Sequence, residues 1–174
     1  ITTYLPELNT PNSSKVKIRH LLQMAGSSEW DESAKNIFSD NASAYYGSDL
    51  KSLVFSKGFS DKPGEVFDYK SGETQFLTYI IENVYGQSLS SVVEEKIWIP
   101  MKMSSPAYWS TDGDDGDEKG YCCLYATARD FLKLGDLFIQ EGKFGGNQIV
   151  PSWYIKEMQV SRAPIFGKIG TINK

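Results

Sequence analysis

Apolar residues recur along this chain at helical rather than strand spacing. Phe76, Leu77, Ile80, Ile81 and Val84 fall on one face of a 3.6-residue repeat, and Gly86 sits where a helix C-cap glycine belongs. Ile18, Leu21, Leu22 and Ala25 predict a shorter buried helix stopped by Gly26. Leu89, Val92, Val93 and Ile97 predict another, started by Ser88 or Ser90 and ended by Pro100. Thr127-x-x-Asp130 has the form of a capping box, opening a helix with Phe131, Leu134, Leu137 and Phe138 inward. Pro151 starts a last helix through Met158. Ser27 to Lys62 is polar with scattered aromatics and reads as short helices and loops, Leu50 to Phe55 being its best helical piece. Extended pieces are few: Val66, Phe67 and Tyr69 after the Pro63-Gly64 turn, and the apolar run Tyr121 to Tyr125. The pattern predicts a mostly α chain, residues 1–174 forming a single domain. Both ends read as interior sequence, so a piece of a longer protein is expected.

Composition narrows the partners. The chain is 40% hydrophobic and 13% aromatic, enough for a core, and its net charge is −4. That balance, with Lys and Arg scattered, argues against nucleic acid, because phosphate contacts need a basic patch. No apolar run approaches the roughly 20 residues of a membrane span. The two cysteines, Cys122 and Cys123, are adjacent. Bridging them closes a strained ring, so they are expected to pack as small hydrophobes. His20 is the one histidine and lacks an evident carboxylate partner, which favours a structural role over a general base. The acidic run Asp112 to Glu118 fails as a calcium loop, since Asp117 and Cys123 stand where glycine and glutamate are required. No metal or cofactor is expected.

The stretch Pro63 to Gln75 carries the candidate chemistry. Residues two apart in an extended segment face the same way, so Tyr69 and Ser71 point together just ahead of a helix N-terminus. A phenol and a hydroxyl presented at such a junction can act on one substrate. The competing reading is a tyrosine packed at a corner, with Ser71 as the helix N-cap.

Several segments in fixed order add a resemblance. Tyr69-Lys70-Ser71 resembles the Tyr-x-Asn or Tyr-x-Ser motif of the serine hydrolases related to class C β-lactamases and penicillin-binding proteins. Ile18 to Met24, Gly86 to Leu89 with Lys96 to Met101, and Leu124 to Asp130 resemble that superfamily's segments in the same order, with Tyr4 to Leu8 ahead of them. The Tyr-x-Ser form running into a helix is most similar to the 6-aminohexanoate-dimer hydrolases. Three positions depart: Cys122-Cys123 replaces a glycine pair, Ser71 an asparagine, and Ala25-Gly26 a Ser-Gly.

The resemblance implies the helical-domain portion of the β-lactamase and penicillin-binding-protein transpeptidase-like fold. It also implies acyl transfer through a serine in a Ser-x-x-Lys motif. Tyr69 is then the general base, helped by the lysine ammonium because a free phenol titrates only near about pH 10. Ser71 hydrogen-bonds that lysine or the substrate, and Trp30 falls where such enzymes place a loop over the pocket. The nucleophile motif is expected upstream of Tyr4 and a third, strand-borne motif beyond Lys174. Ser14-Lys15-Val16-Lys17 and Ser48-Asp49-Leu50-Lys51 match Ser-x-x-Lys in the wrong places. The implied partner is a small ester, amide or peptide substrate. The alternative is a non-catalytic binding module on the same scaffold.

Overall fold

The computed structural model describes residues 1–160. Its α-helices are α1 (Ile18–Leu22), α2 (Asp40–Tyr46), α3 (Leu50–Phe55), α4 (Ser71–Tyr85), α5 (Leu89–Val93), α6 (Ala128–Ile139) and α7 (Ser152–Met158). A 3-10 turn at Ser13–Lys15 precedes α1, and α5 runs on into a π-helical turn, Glu94–Trp98. Two small antiparallel pairs complete the architecture. β1 (Tyr108–Trp109) pairs with β2 (Leu124–Tyr125), and β3 (Lys143–Phe144) pairs with β4 (Asn147–Gln148).

Local sequence sets the helix ends. Ser39, Asp49, Ser88 and Thr127 cap α2, α3, α5 and α6, each side-chain oxygen accepting a backbone N–H from the first turn. Gly86 ends α4 at φ 66°, a left-handed conformation that glycine adopts without steric cost.

Helix α4 is the central strut. Its Phe76, Tyr79 and Ile80 enter a core shared with Leu5, Leu8, Val16, Leu21, Leu50, Val54 and Phe59. The Phe76 ring lies 5.9 Å from Phe55 and 5.4 Å from Phe59, and Tyr79 meets Phe55 edge-on at 5.4 Å. Such ring pairs add about 0.5–1.5 kcal/mol each beyond area burial. A one-faced α4 is expected from sequence, but the helix is covered on a second side. Gln75 Nε2 donates to the Glu118 carbonyl at 3.0 Å. Gly120 passes so close that a Cβ there would meet Thr78 Oγ1 at 1.9 Å. Val84, expected on the buried face, is 56% exposed.

Helix α6 differs from expectation too. Leu137 is buried, but Phe131 and Phe138 are 41% and 43% exposed, because the described residues cover α6 only on the side facing β3 and the Ser104 loop. That loop is tied by Asp130. The carboxylate accepts the Ser104 N–H at 2.8 Å, both it and Ser104 Oγ being in reach, and also takes the Thr127 hydroxyl at 2.9 Å and Lys133 Nζ at 3.1 Å. The Ser104 amide, then Thr127, Lys133 and the Ser104 hydroxyl, outweigh burial and hold this carboxyl below the usual carboxylate range. A depressed folded pKa means stability present above the unfolded value of about 3.9 and lost as pH falls. Asp130→Asn is therefore expected to melt below the parent at pH 7, with the gap closing as pH drops below the unfolded value. Thermal melts at pH 7 and pH 3 check this; a gap that does not change between them contradicts it.

Candidate active site

The segment from Pro63 to Lys70 is not a strand. It starts as a turn at Pro63-Gly64 and is tied to the loop that follows α1. The Gly64 N–H donates to the Ala25 carbonyl at 2.7 Å and the Asp68 N–H to the Met24 carbonyl at 2.8 Å. Lys70 Nζ donates to the Ser28 carbonyl at 2.6 Å and lies 3.4 Å from Asp68 Oδ2. Tyr69 therefore stands between two anchored neighbours. Its ring is 54% exposed, and its hydroxyl has no hydrogen-bond partner among the described residues. Lys70 is extended at φ −145° and ψ 115°, the geometry expected to turn Tyr69 and Ser71 to the same side.

Ser71 is the first residue of α4, not its cap; Lys70 holds the cap position without a side-chain bond to the helix. The capping group comes from the loop. Glu32 Oε2 accepts the Ser71 N–H at 2.7 Å, and Glu32 Oε1 accepts the Ser71 hydroxyl at 2.7 Å. Oε2 also accepts the Trp30 indole N–H at 2.9 Å. An anion at this helix end contributes about 0.3–1 kcal/mol through the helix dipole alone. Trp30 is 4% exposed and lies flat against Gly72, where a Cβ would come within 2.4 Å of the indole.

A second carboxylate works in the opposite direction. Glu73, in the first turn of α4, is fully buried and accepts the Gly26 N–H at 2.9 Å and the Ser28 N–H at 3.1 Å. Gly26 has no room for a side chain, since a Cβ would sit 2.9 Å from the carboxyl. Burial raises the Glu73 pKa, against the opposing pull of the Ser28 and Gly26 amides and Lys70.

The structure thus brings Trp30 and Ser71 together through Glu32 and leaves Tyr69 at the open edge of the same junction. Glu32 and Glu73 are not legible as site residues in the sequence. Glu73 carries a partial signal, an acidic residue in a first helical turn, but its partners lie 45 and 47 residues away. His20 plays a local part: its Nδ1 accepts the Lys17 N–H at 3.3 Å, its ring packs over Gly64, and burial with Lys17 and Arg19 lowers its pKa. The cysteine expectation is corrected. Cys122 and Cys123 form a disulfide with Cα atoms 3.7 Å apart, and the Cys123 backbone is left-handed at φ 67°. Trp109 Nε1 donates to the Cys122 carbonyl at 2.7 Å beside it. Neighbouring Tyr121 has its hydroxyl raised to about 12 by burial, with Tyr45, Glu32 and Asp112 adding to the shift.

The β-lactamase family model matches residues 1–163, and the chain belongs to the β-lactamase family. A protein from Bacillus anthracis named as a 6-aminohexanoate-dimer hydrolase superposes with a TM-score of 0.78 at 28% identity, over 90% of this chain and 44% of that one. A Bacteroides dorei protein named as a β-lactamase superposes at 0.74 with 20% identity, over 98% of this chain and 51% of that one. An uncharacterised protein of Alkalihalophilus pseudofirmus is 24% identical over 94% of this chain and 47% of its own length. The chain spans about half the length of the relatives it matches. With the short strands and dominant helices, these place it as a helical portion of the β-lactamase and penicillin-binding-protein fold.

Glu73 yields a prediction for the junction. Its raised pKa means the folded state holds the proton more tightly than the unfolded chain, so its stability contribution is greatest below the ordinary 4.5 and declines as pH rises through the folded value. Glu73→Gln leaves one of the two loop amides facing an NH₂ group, at a cost of about 1–3 kcal/mol. Urea unfolding at several pH values should show the variant weaker throughout, with the difference widest below pH 4.5. Equal stability at low pH would refute the assignment.

Proposed function

We propose that this chain is the tyrosine-bearing part of a serine hydrolase that works through an acyl-enzyme on small ester, amide or peptide substrates. The observation that carries the reading is the junction at Tyr69. An exposed phenol with no hydrogen-bond partner among the described residues lies between neighbours tied by backbone and side-chain bonds, two residues from a hydroxyl at a helix start, in a chain of the β-lactamase family. The half-exposed ring leaves the phenol accessible to a substrate.

In the proposed reaction a serine of a Ser-x-x-Lys motif, outside this chain, attacks the substrate carbonyl. Tyr69 takes the serine proton and returns it to the leaving group, its phenolate form favoured by the lysine ammonium. Ser71 receives a hydrogen bond from that ammonium or from the substrate. Trp30 supports the loop rather than standing open, since its indole is covered by Gly72 and its N–H is taken by Glu32. The 28% identical relative named as a 6-aminohexanoate-dimer hydrolase favours an ester or amide substrate over a β-lactam. The chain as it stands is proposed to be inactive, since covalent catalysis needs the nucleophile.

The test uses the full-length protein that contains this chain. Tyr69→Phe should lower kcat for p-nitrophenyl butyrate by about 10²–10⁴-fold, the usual contribution of a general acid–base group, with KM little changed. The variant should still melt cooperatively, so that the loss is read as chemistry and not as unfolding. The 174-residue chain alone should show no turnover. Unaltered kcat in the variant removes Tyr69 from the chemistry; a full-length parent without hydrolysis favours the binding-module reading.

A further inference from the structure

Glu32 does more than cap a helix. A carboxylate is an acceptor only, so the Ser71 hydroxyl at 2.7 Å must spend its one proton on Glu32 Oε1. The oxygen then shows only lone pairs to any third group. The other carboxylate oxygen is held by two donors, the Ser71 amide and the Trp30 indole N–H, which fixes the carboxylate in this orientation. Trp30 is itself immobilised against Gly72. An asparagine in place of Ser71 would present a donor and an acceptor together; the serine paired with Glu32 presents an acceptor alone, with a negative charge behind it.

We infer that Glu32 is a positioning residue that fixes Ser71 as a pure hydrogen-bond acceptor for a protonated nitrogen at the active site. The inference rests on the acyl-enzyme reading above and adds to it the residue that sets the polarity of Ser71. The partner nitrogen is either an ammonium of the enzyme or an N–H of the substrate.

Glu32→Gln makes the inference sharp. The Ser71 amide and the Trp30 indole both demand an acceptor at the Oε2 place, so the glutamine carbonyl oxygen settles there. Its NH₂ then faces Ser71 Oγ, which must accept and turn its own proton outward. The substitution keeps the shape and reverses the polarity of the serine.

In the full-length protein, Glu32→Gln should lower kcat at least tenfold for p-nitrophenyl butyrate, butyryl p-nitroanilide or both, with KM within threefold, while the variant still melts cooperatively. In a Ser71→Ala background the same substitution should change kcat less than twofold, because Glu32 acts through that hydroxyl. A butyryl p-nitroanilide run in parallel separates the two sources. Equal loss on both substrates assigns the nitrogen to the enzyme, since the ester has no N–H, and loss confined to the anilide assigns it to the substrate; either result supports the inference. A kcat unchanged on both substrates overturns it, and so does an equal loss with and without Ser71. A Glu32→Gln protein that no longer folds confines Glu32 to the scaffold and overturns it too. If the parent hydrolyses neither substrate, the acyl-enzyme reading fails and the positioning role falls with it.

Discussion

Two carboxylates exchanged between a loop and a helix hold this molecule's junction in one shape. Glu73 reaches from the first turn of α4 to the amides of Gly26 and Ser28, and Glu32 reaches from the same loop to the amide and hydroxyl of Ser71. Each satisfies donors that the other element cannot satisfy for itself. Gly26 and Gly72 let the backbones approach: one leaves room for the Glu73 carboxyl, the other for the Trp30 ring. Cutting either tie leaves backbone N–H groups without acceptors, a penalty of about 1–3 kcal/mol for each buried group.

Everything placed at the junction depends on that exchange. The Pro63–Lys70 segment has no ladder of its own, and its direction is set by bonds to Met24, Ala25 and Ser28 on the pinned loop. Tyr69 rides on this segment with its ring in solvent. The aromatic cluster of Phe55, Phe59, Phe76 and Tyr79 anchors the far side of α4 and stops the helix from yielding to the pull of the loop. Rigidity at the helix start and openness at Tyr69 suit the proton-transfer role proposed for it, which needs a fixed position and access to substrate.

The helices were largely legible in the sequence because their signals are local. Caps at Ser88 and Thr127, the C-cap at Gly86 and the apolar repeat of Phe76 and Ile80 need no partner far along the chain. The errors arose where the deciding partner is remote or the backbone unusual. Ser71 looks like an N-cap by position, yet the cap is Glu32, 39 residues earlier. The second buried side of α4 is made by the Glu118–Gly120 loop, whose path no periodicity announces. Cys122 and Cys123 bridge, with Cys123 in a left-handed conformation that residue type does not forecast. At the candidate junction, Tyr69 and Ser71 are marked by a motif and Trp30 by its place in a segment, and their roles there are proposals. The two glutamates that hold them were not, because a carboxylate in a polar loop or a first helical turn is ordinary until its partners are known.

The account stands on Tyr69 serving acyl transfer, and trapping the covalent intermediate tests it most directly. Full-length protein mixed with excess p-nitrophenyl butyrate and quenched within one turnover should carry one butyryl group by intact mass. Digestion should map it to a serine of a Ser-x-x-Lys motif outside residues 1–174. Tyr69→Phe should form that adduct far more slowly. An adduct on a residue within this chain, or one formed equally fast without the Tyr69 hydroxyl, would contradict the account.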